Sequence, residues 1–166
     1  MKTLLNELDK LSYYAKNSEI TREIIDNMAT KCLQARIFDL SKAVVNGNAD
    51  LSYKVLNTLF EMKEDPIVLN ATIGSVYIDM YRVKCAKAAG YSYSDVGEYY
   101  NYKRREFALK NASANCAKLN DKQIRASIDE IIDVDIKLKS TAIDKRLLLE
   151  ELIAKLLMIA KERQYA

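Results

Sequence analysis

Histidine and tryptophan are absent from this 166-residue sequence, which also holds only one proline, four glycines and three cysteines. Each shortage excludes something. Without histidine, the usual general base and the commonest metal ligand are missing. With so few glycines there is no glycine-rich phosphate loop and no GxSxG phrase. Cys32, Cys85 and Cys116 are odd in number, far apart and free of CxxC spacing, so they suggest neither a disulfide framework nor a zinc site, and are expected to be buried thiols in a reducing compartment. No charge of one sign dominates: 26 Lys and Arg against 23 Asp and Glu leave too small an excess for a basic footprint. No run approaches the roughly 18 apolar residues of a membrane span, and the N-terminal stretch carries acids within its apolar pattern, unlike a signal peptide. The chain is expected to be soluble and cytoplasmic, with no cofactor, no metal and no membrane partner.

What is present is helix-forming. About half the residues are apolar (49%) and 30% are charged, which with the lack of Pro and Gly indicates an all-α protein long enough to bury a core without staples. Leu4, Leu5, Leu8 and Leu11 recur at helical intervals before a break at Asn17 and Ser18, and Thr21 is placed to cap a short helix carrying Ile24, Ile25 and Met28. "ATKCLQ", residues 29–34, has no clear periodicity and reads as a hinge, which sets a domain boundary between residues 31 and 32. Longer helices follow. The phrase "ARIFDLSKAVVNGN" from Ala35 ends where Gly47 can turn left-handed, and Asp50 is placed to cap the next helix. Asp65 followed by Pro66 marks the start of a third, whose stripe runs Leu69, Ile73, Val76, Met80, Val83 and stops at Gly90. Ser94, Asp121 and Asp144 are candidate caps for the remaining helices, and no fixed-period repeat suggests a solenoid. The pattern predicts a helical bundle over residues 32–166, preceded by a small helical unit over residues 1–31.

Candidates for chemistry are few. Glu150 and Glu151 are adjacent and point about 100° apart on a helix, which suits solvent better than a shared metal. No catalytic residue is identified. Asp135 falls within the stripe Ile124, Ile128, Ile131, Leu138, where a lone carboxylate would be costly, and Lys139 lies one turn on. The pair is expected to be a mostly buried ion pair that orients the last two helices. Tyr91, Tyr93, Tyr99, Tyr100 and Tyr102 precede Lys103, Arg104 and Arg105; rings interleaved with bases suit a single-stranded nucleic-acid platform, with Tyr99, Tyr102, Lys103 and Arg104 as candidate contacts. Tyrosines are equally ordinary at interfaces and core edges. In the last helix, leucines and isoleucines from Leu148 to Ile159 wrap further round than one core-facing stripe needs, so Leu149, Leu152, Leu156 and Leu157 are candidates for a subunit interface.

Taken in order, "NELDKLSYYA", "ITREIIDNM", "IFDLSKAVVNGN" and "DVDIKLKSTAIDKRLLLEELI" resemble the C-terminal half of the delta subunit family of bacterial DNA polymerase III, a component of the sliding-clamp loader. The resemblance implies that the first phrase belongs to the small lid of an AAA+-like module, and that the stretch opening with Ile37, Phe38, Asp39 and Leu40 begins a helical collar. Asp135, Lys139, Leu149 and Glu150 match the family's acid-x-x-x-Lys motif and its Leu-Glu continuation. It further implies an assembly role without catalysis of its own, in a nucleotidyltransferase holoenzyme. The collar would pack beside those of the motor subunits and delta-prime, and primer-template DNA would be met through the assembled complex. The sliding clamp would be gripped by a preceding AAA+-like domain that this sequence does not contain, so the chain is expected to be a partial protein. Tyr102, Lys103 and Arg104 loosely match the Tyr-Arg- or Tyr-Lys-like helix start of the family, whereas the extra tyrosines from Tyr91 onward follow no family rule. Two other readings fit the residues: an all-α adaptor or regulator that binds a partner helix, and a small nucleic-acid-binding helical protein.

Overall fold

In a computed structural model, the described residues are 12–13, 21–103 and 105–162, with backbone alone over 23–32. From Arg22 to Lys161 they form seven helices and no strand: α1 (Arg22–Val45), α2 (Ala49–Glu61), α3 (Pro66–Ala88), α4 (Val96–Tyr99), α5 (Glu106–Cys116), α6 (Asp121–Ser140) and α7 (Lys145–Lys161). The chain divides into two compact units, Met1–Arg36 and Ile37–Ala166. The leucines expected to form the first helix, and the side chains of Ile24, Ile25 and Met28, lie outside the described residues.

The expected hinge is instead helix: α1 is unbroken through residues 29–34. Periodicity is absent there, but so are glycine and proline, and the loss of an apolar stripe does not by itself stop a helix. Local punctuation elsewhere behaves as its chemistry requires. Gly47 takes a φ of 69°, and the N–H groups of Gly47 and Asn48 reach back to the carbonyls of Val44 and Ala43, which closes α1. Gly90, at φ 84°, closes α3 in the same way. Asp65 accepts from the amides of Ile67 and Val68 with Pro66 at the first helical position, and Asp144 accepts from those of Arg146 and Leu147. Two caps are corrected. Asn48, not Asp50, caps α2 through the Leu51 amide, and Asn120, not Asp121, caps α6 in a reciprocal box with Gln123. In both, an asparagine just upstream already supplies the side-chain oxygen, and the aspartate falls in the first turn, where it favours the helix dipole. Ser94 does not cap either; α4 follows Asp95, which offers it no side-chain bond.

Within the second unit α3 is central, packed against α4, α5, α6 and α7, while α7 also meets α2 and α6. The core is aliphatic: Ile37, Leu40, Leu56, Leu59, Leu69, Ile73, Met80, Ile124, Leu149, Leu152 and Ile153 are all at most 1% exposed. Gly74 lets α3 and α6 approach, since a Cβ there would stand 3.3 Å from Ile131 Cγ2; one turn earlier, Asn70 Nδ2 donates to the Ile131 carbonyl. The buried face of α3 passes through Tyr77 rather than the expected Val76, and also takes in Asn70 and Asp79. Among the described residues no helix is long and apolar enough to cross a membrane.

Candidate functional site

The C-terminal half of α3 and the segment that follows it hold a polar cluster built around a buried carboxylate. Asp79, 4% exposed, lies between Tyr77 and Met80 on the buried side of α3. The hydroxyl of Tyr102 donates to Asp79 Oδ1. Arg82, one turn on, sets Nη1 3.5 Å from the same oxygen and donates from that nitrogen to Tyr102 Oη at 3.0 Å. Arg105, at the start of α5, faces Asp79 Oδ2 at 3.7 Å. The guanidinium of Arg82 also stacks 4.0 Å from the centre of the Tyr100 ring. Burial raises the Asp79 carboxyl above the usual aspartate range, against the opposing pull of the Tyr102 hydroxyl, Arg105 and Arg82. Burial and the bond to Asp79 likewise raise the Tyr102 phenol. Both carboxylate oxygens are committed to partners, so the cluster acts as an anchor: it ties the irregular stretch after Gly90 to the middle of the bundle.

That stretch presents its other tyrosines outward. Tyr91, Tyr93, Tyr99 and Tyr100 are all exposed, Tyr99 at 75%. Tyr102, expected among the nucleic-acid contacts, is corrected: it is 5% exposed, its hydroxyl is engaged by Asp79 and Arg82, and it offers no face for a base. Lys103 is exposed. Arg104 lies outside the described residues.

The remaining expectations divide. Leu149, Leu152, Leu156 and Leu157 are 0%, 0%, 1% and 5% exposed within this chain, so they are core residues and not an open subunit interface. Neighbours on more than one side cover the wide apolar arc of α7, which sits against α2, α3 and α6. Its outward apolar residues are Leu147 and Met158. Asp135 and Lys139 do pair, at 2.5 Å, but their side chains are 35% and 55% exposed, so the expected burial is corrected. The face α6 buries consists of Gln123, Ile124, Ser127, Ile131, Val134 and Leu138. Counting 100° per residue, Asp135 lies about 70° from its centre, because the buried face takes in Val134 while Ile128, on the side of Asp135, is only half-buried.

Asp79 was not legible as a site residue from the apolar pattern, yet it has a signal: an acid inside an apolar helical run, with a base three residues on and a Tyr-Lys-Arg-Arg phrase downstream. Among the described residues no group of three or more histidine, cysteine, aspartate or glutamate side chains could hold a metal ion.

Residues 34–156 match the family model described as DNA polymerase III delta subunit, C-terminal domain. The DNA polymerase III subunit delta of Bacillus subtilis (strain 168) is 25% identical over 158 residues, which are 95% of this chain and 45% of that protein. The structure of the Bacillus subtilis DNA clamp loader delta protein (YqeN) superposes with a TM-score of 0.73 at 24% identity, over 95% of this chain and 46% of that one. This chain therefore spans about half the length of the relatives it matches.

Proposed function

Since the chain belongs to the family of DNA polymerase III delta subunits, through their C-terminal domain, we propose that it serves as the helical assembly portion of a replicative clamp loader. The observation that carries this reading is the family match over residues 34–156, joined to a shared all-α fold over nearly the whole chain. On this reading residues 32–166 are the collar and residues 1–31 part of an AAA+-like lid, and the chain works in the cytoplasm without catalysis of its own. Its partners are the motor subunits and delta-prime, and it meets primer-template DNA only through the assembled complex. Contact with the sliding clamp is not assigned to these residues.

The test is co-expression with the motor and delta-prime subunits of the same organism, followed by affinity capture through this chain and size-exclusion chromatography. A single species containing all the partners is expected. Elution of this chain apart from correctly assembled motor and delta-prime subunits would overturn the reading and favour an adaptor that binds an unrelated helix.

A further inference from the structure

The side of α6 turned away from the core carries an apolar strip that the described residues leave open. Ile132 and Ile136 are 52% and 58% exposed, and Ile128, one turn before Ile132, is half-buried. Ile128 and Ile132 belong to a longer seam. Asp121, Arg125, Ile128, Ile132, Asp135 and Lys139 follow one another at spacings of four, three, four, three and four, the spacing by which one helix meets another along its length. At 1.5 Å per residue the seam runs about 27 Å. Every residue on it is accessible: Asp121, Arg125, Ile132 and Lys139 are exposed, and Ile128 and Asp135 half-buried. Uncovered isoleucines bounded by charges mark an association surface.

The order of charges selects the occupant. Reversed end for end, the seam keeps its two isoleucines in the middle and exchanges every acid for a base. A second copy of α6 laid antiparallel therefore sets Ile128 on Ile132 twice, Arg125 opposite Asp135 and Asp121 opposite Lys139. Parallel pairing would put Arg125 on Arg125 and Asp135 on Asp135, and sliding the antiparallel register by seven residues would put Ile132 on Asp135 or on Asp121. These charges keep their contacts within the chain. Lys139 holds Asp135 at 2.5 Å, Asp121 lies 3.9 Å from Lys84, and Arg125 donates to the uncharged hydroxyl of Tyr81 at 2.8 Å. Pairing adds to them, because Asp121 and Arg125 of one copy with Asp135 and Lys139 of the other make a square in which every neighbour has the opposite sign. One like-charge contact opposes this: exposed Asp129 meets its own copy at the rim, where solvent screens it. We propose that α6 pairs antiparallel with α6 of a second copy, giving a two-fold dimer with Ile128 and Ile132 at its centre. The pairing needs this chain alone and does not depend on the collar reading.

Sedimentation equilibrium of the full chain at low salt, with no other protein present, tests this. The wild-type apparent mass should rise from one chain to two as concentration is raised. Arg125→Glu and Asp135→Lys each place two like-charge pairs in the dimer, and each should weaken it about tenfold or more. Neither side chain is buried, so circular dichroism should give the wild-type helix content for both. Mixed in equal amounts, the two variants should recover the wild-type association. Each introduced charge then faces its opposite, and the untouched Asp135 of one variant faces the untouched Arg125 of the other. A dimer held through any other face gives no such recovery. A wild type that stays a single chain at every concentration overturns the proposal, as does a dimer that either variant leaves unchanged, or a mixture no more associated than its separate components.

Discussion

Two aspartates of this protein, Asp79 and Asp135, each sit among apolar neighbours on a long helix, each with a base one turn ahead, and they end in opposite places. Asp135 on α6 is in contact with solvent and pairs with a single exposed lysine. Asp79 on α3 is nearly closed off and meets a tyrosine and two arginines from three parts of the chain. A helical wheel ranks them the wrong way round, because Asp135 falls within the apolar stripe read from the α6 sequence while Asp79 lies about 80° from the centre of the α3 stripe. What separates them is how each helix is covered: Tyr102 and Arg105, from beyond α3, close over Asp79, whereas α6 turns the side holding Val134 into the core and leaves Asp135 at the edge of its contact face. A carboxylate goes inside where distant partners are available to receive it, and stays outside where only its own helix offers one.

The sharpest way to press the comparison is to place a carboxylate inside with no partner at all. Leu157 is 5% exposed in the core formed by α7. Leu157→Glu should cost about 4 kcal/mol or more, through lost apolar burial and an unpaired buried charge, and urea denaturation should show most or all of the native baseline gone. A variant that melts like wild type and only loses partner binding would restore Leu157 to an interface.

Removing the partnered interior carboxylate should cost less. Asp79→Ala leaves Tyr102 without its acceptor and two guanidinium groups facing each other across a small void. Complete breakage of a buried pair costs about 3 to 5 kcal/mol. Because the side chains of Arg82 and Arg105 are 34% and 39% exposed, water screens part of this, and about 2 kcal/mol is expected in chemical denaturation. Hydrogen exchange should quicken from Tyr91 to Arg105 more than in α2, since the anchor of that segment is gone. Asp79→Asn, which keeps the acceptor for Tyr102 and removes the titration, gives a smaller and pH-dependent effect. Burial raises the folded carboxyl above its ordinary value of 3.8. The folded state therefore holds this proton more tightly than the unfolded chain does, and the contribution is full below the unfolded value and lost as pH rises through the folded one. The melting temperature of wild type relative to Asp79→Asn should thus rise as pH falls from neutral toward 4. A flat or opposite trend would show that the arginines outweigh burial.

How far the sequence carries depends on how local the determinant is. Gly47, Gly90, Asp65 with Pro66, and Asp144 act within one turn, and each ends or begins a helix where its chemistry predicts. Asp50 and Asp121 miss by one or two positions because the choice between neighbouring caps is a contest between similar side chains, which Asn48 and Asn120 win. The continuous α1 shows that missing periodicity is weaker evidence than a present breaker. The site was less legible. Tyr99 and Tyr102 read alike in the same tyrosine-rich phrase, yet Tyr99 is exposed and Tyr102, three residues along, is drawn inward by Asp79, 23 positions away. The α7 leucines fail as an interface for the same kind of reason: an arc too wide for one neighbour is covered by several.

The smallest effect is expected at Asp135 itself, and its smallness is what the comparison requires. The Asp135–Lys139 pair is short and runs acid to base toward the helix C-terminus, the favourable order, and Lys139 stands in the last turn of α6 where the dipole welcomes a cation. Both groups nevertheless keep their water, so the Coulomb gain is screened and each long side chain gives up freedom to stay in place. Asp135→Ala should destabilise by no more than about 0.5 kcal/mol, the range of exposed pairs one turn apart. Alanine also has the better intrinsic helix propensity, which offsets part of even that loss. A double-mutant cycle with Lys139→Ala should return a coupling of about 0.3 kcal/mol that fades as salt is raised from low concentration toward 1 M, where screening is nearly complete. A coupling above about 2 kcal/mol that survives high salt would mean that Asp135 is shielded in solution as Asp79 is, and the distinction between the two aspartates would collapse.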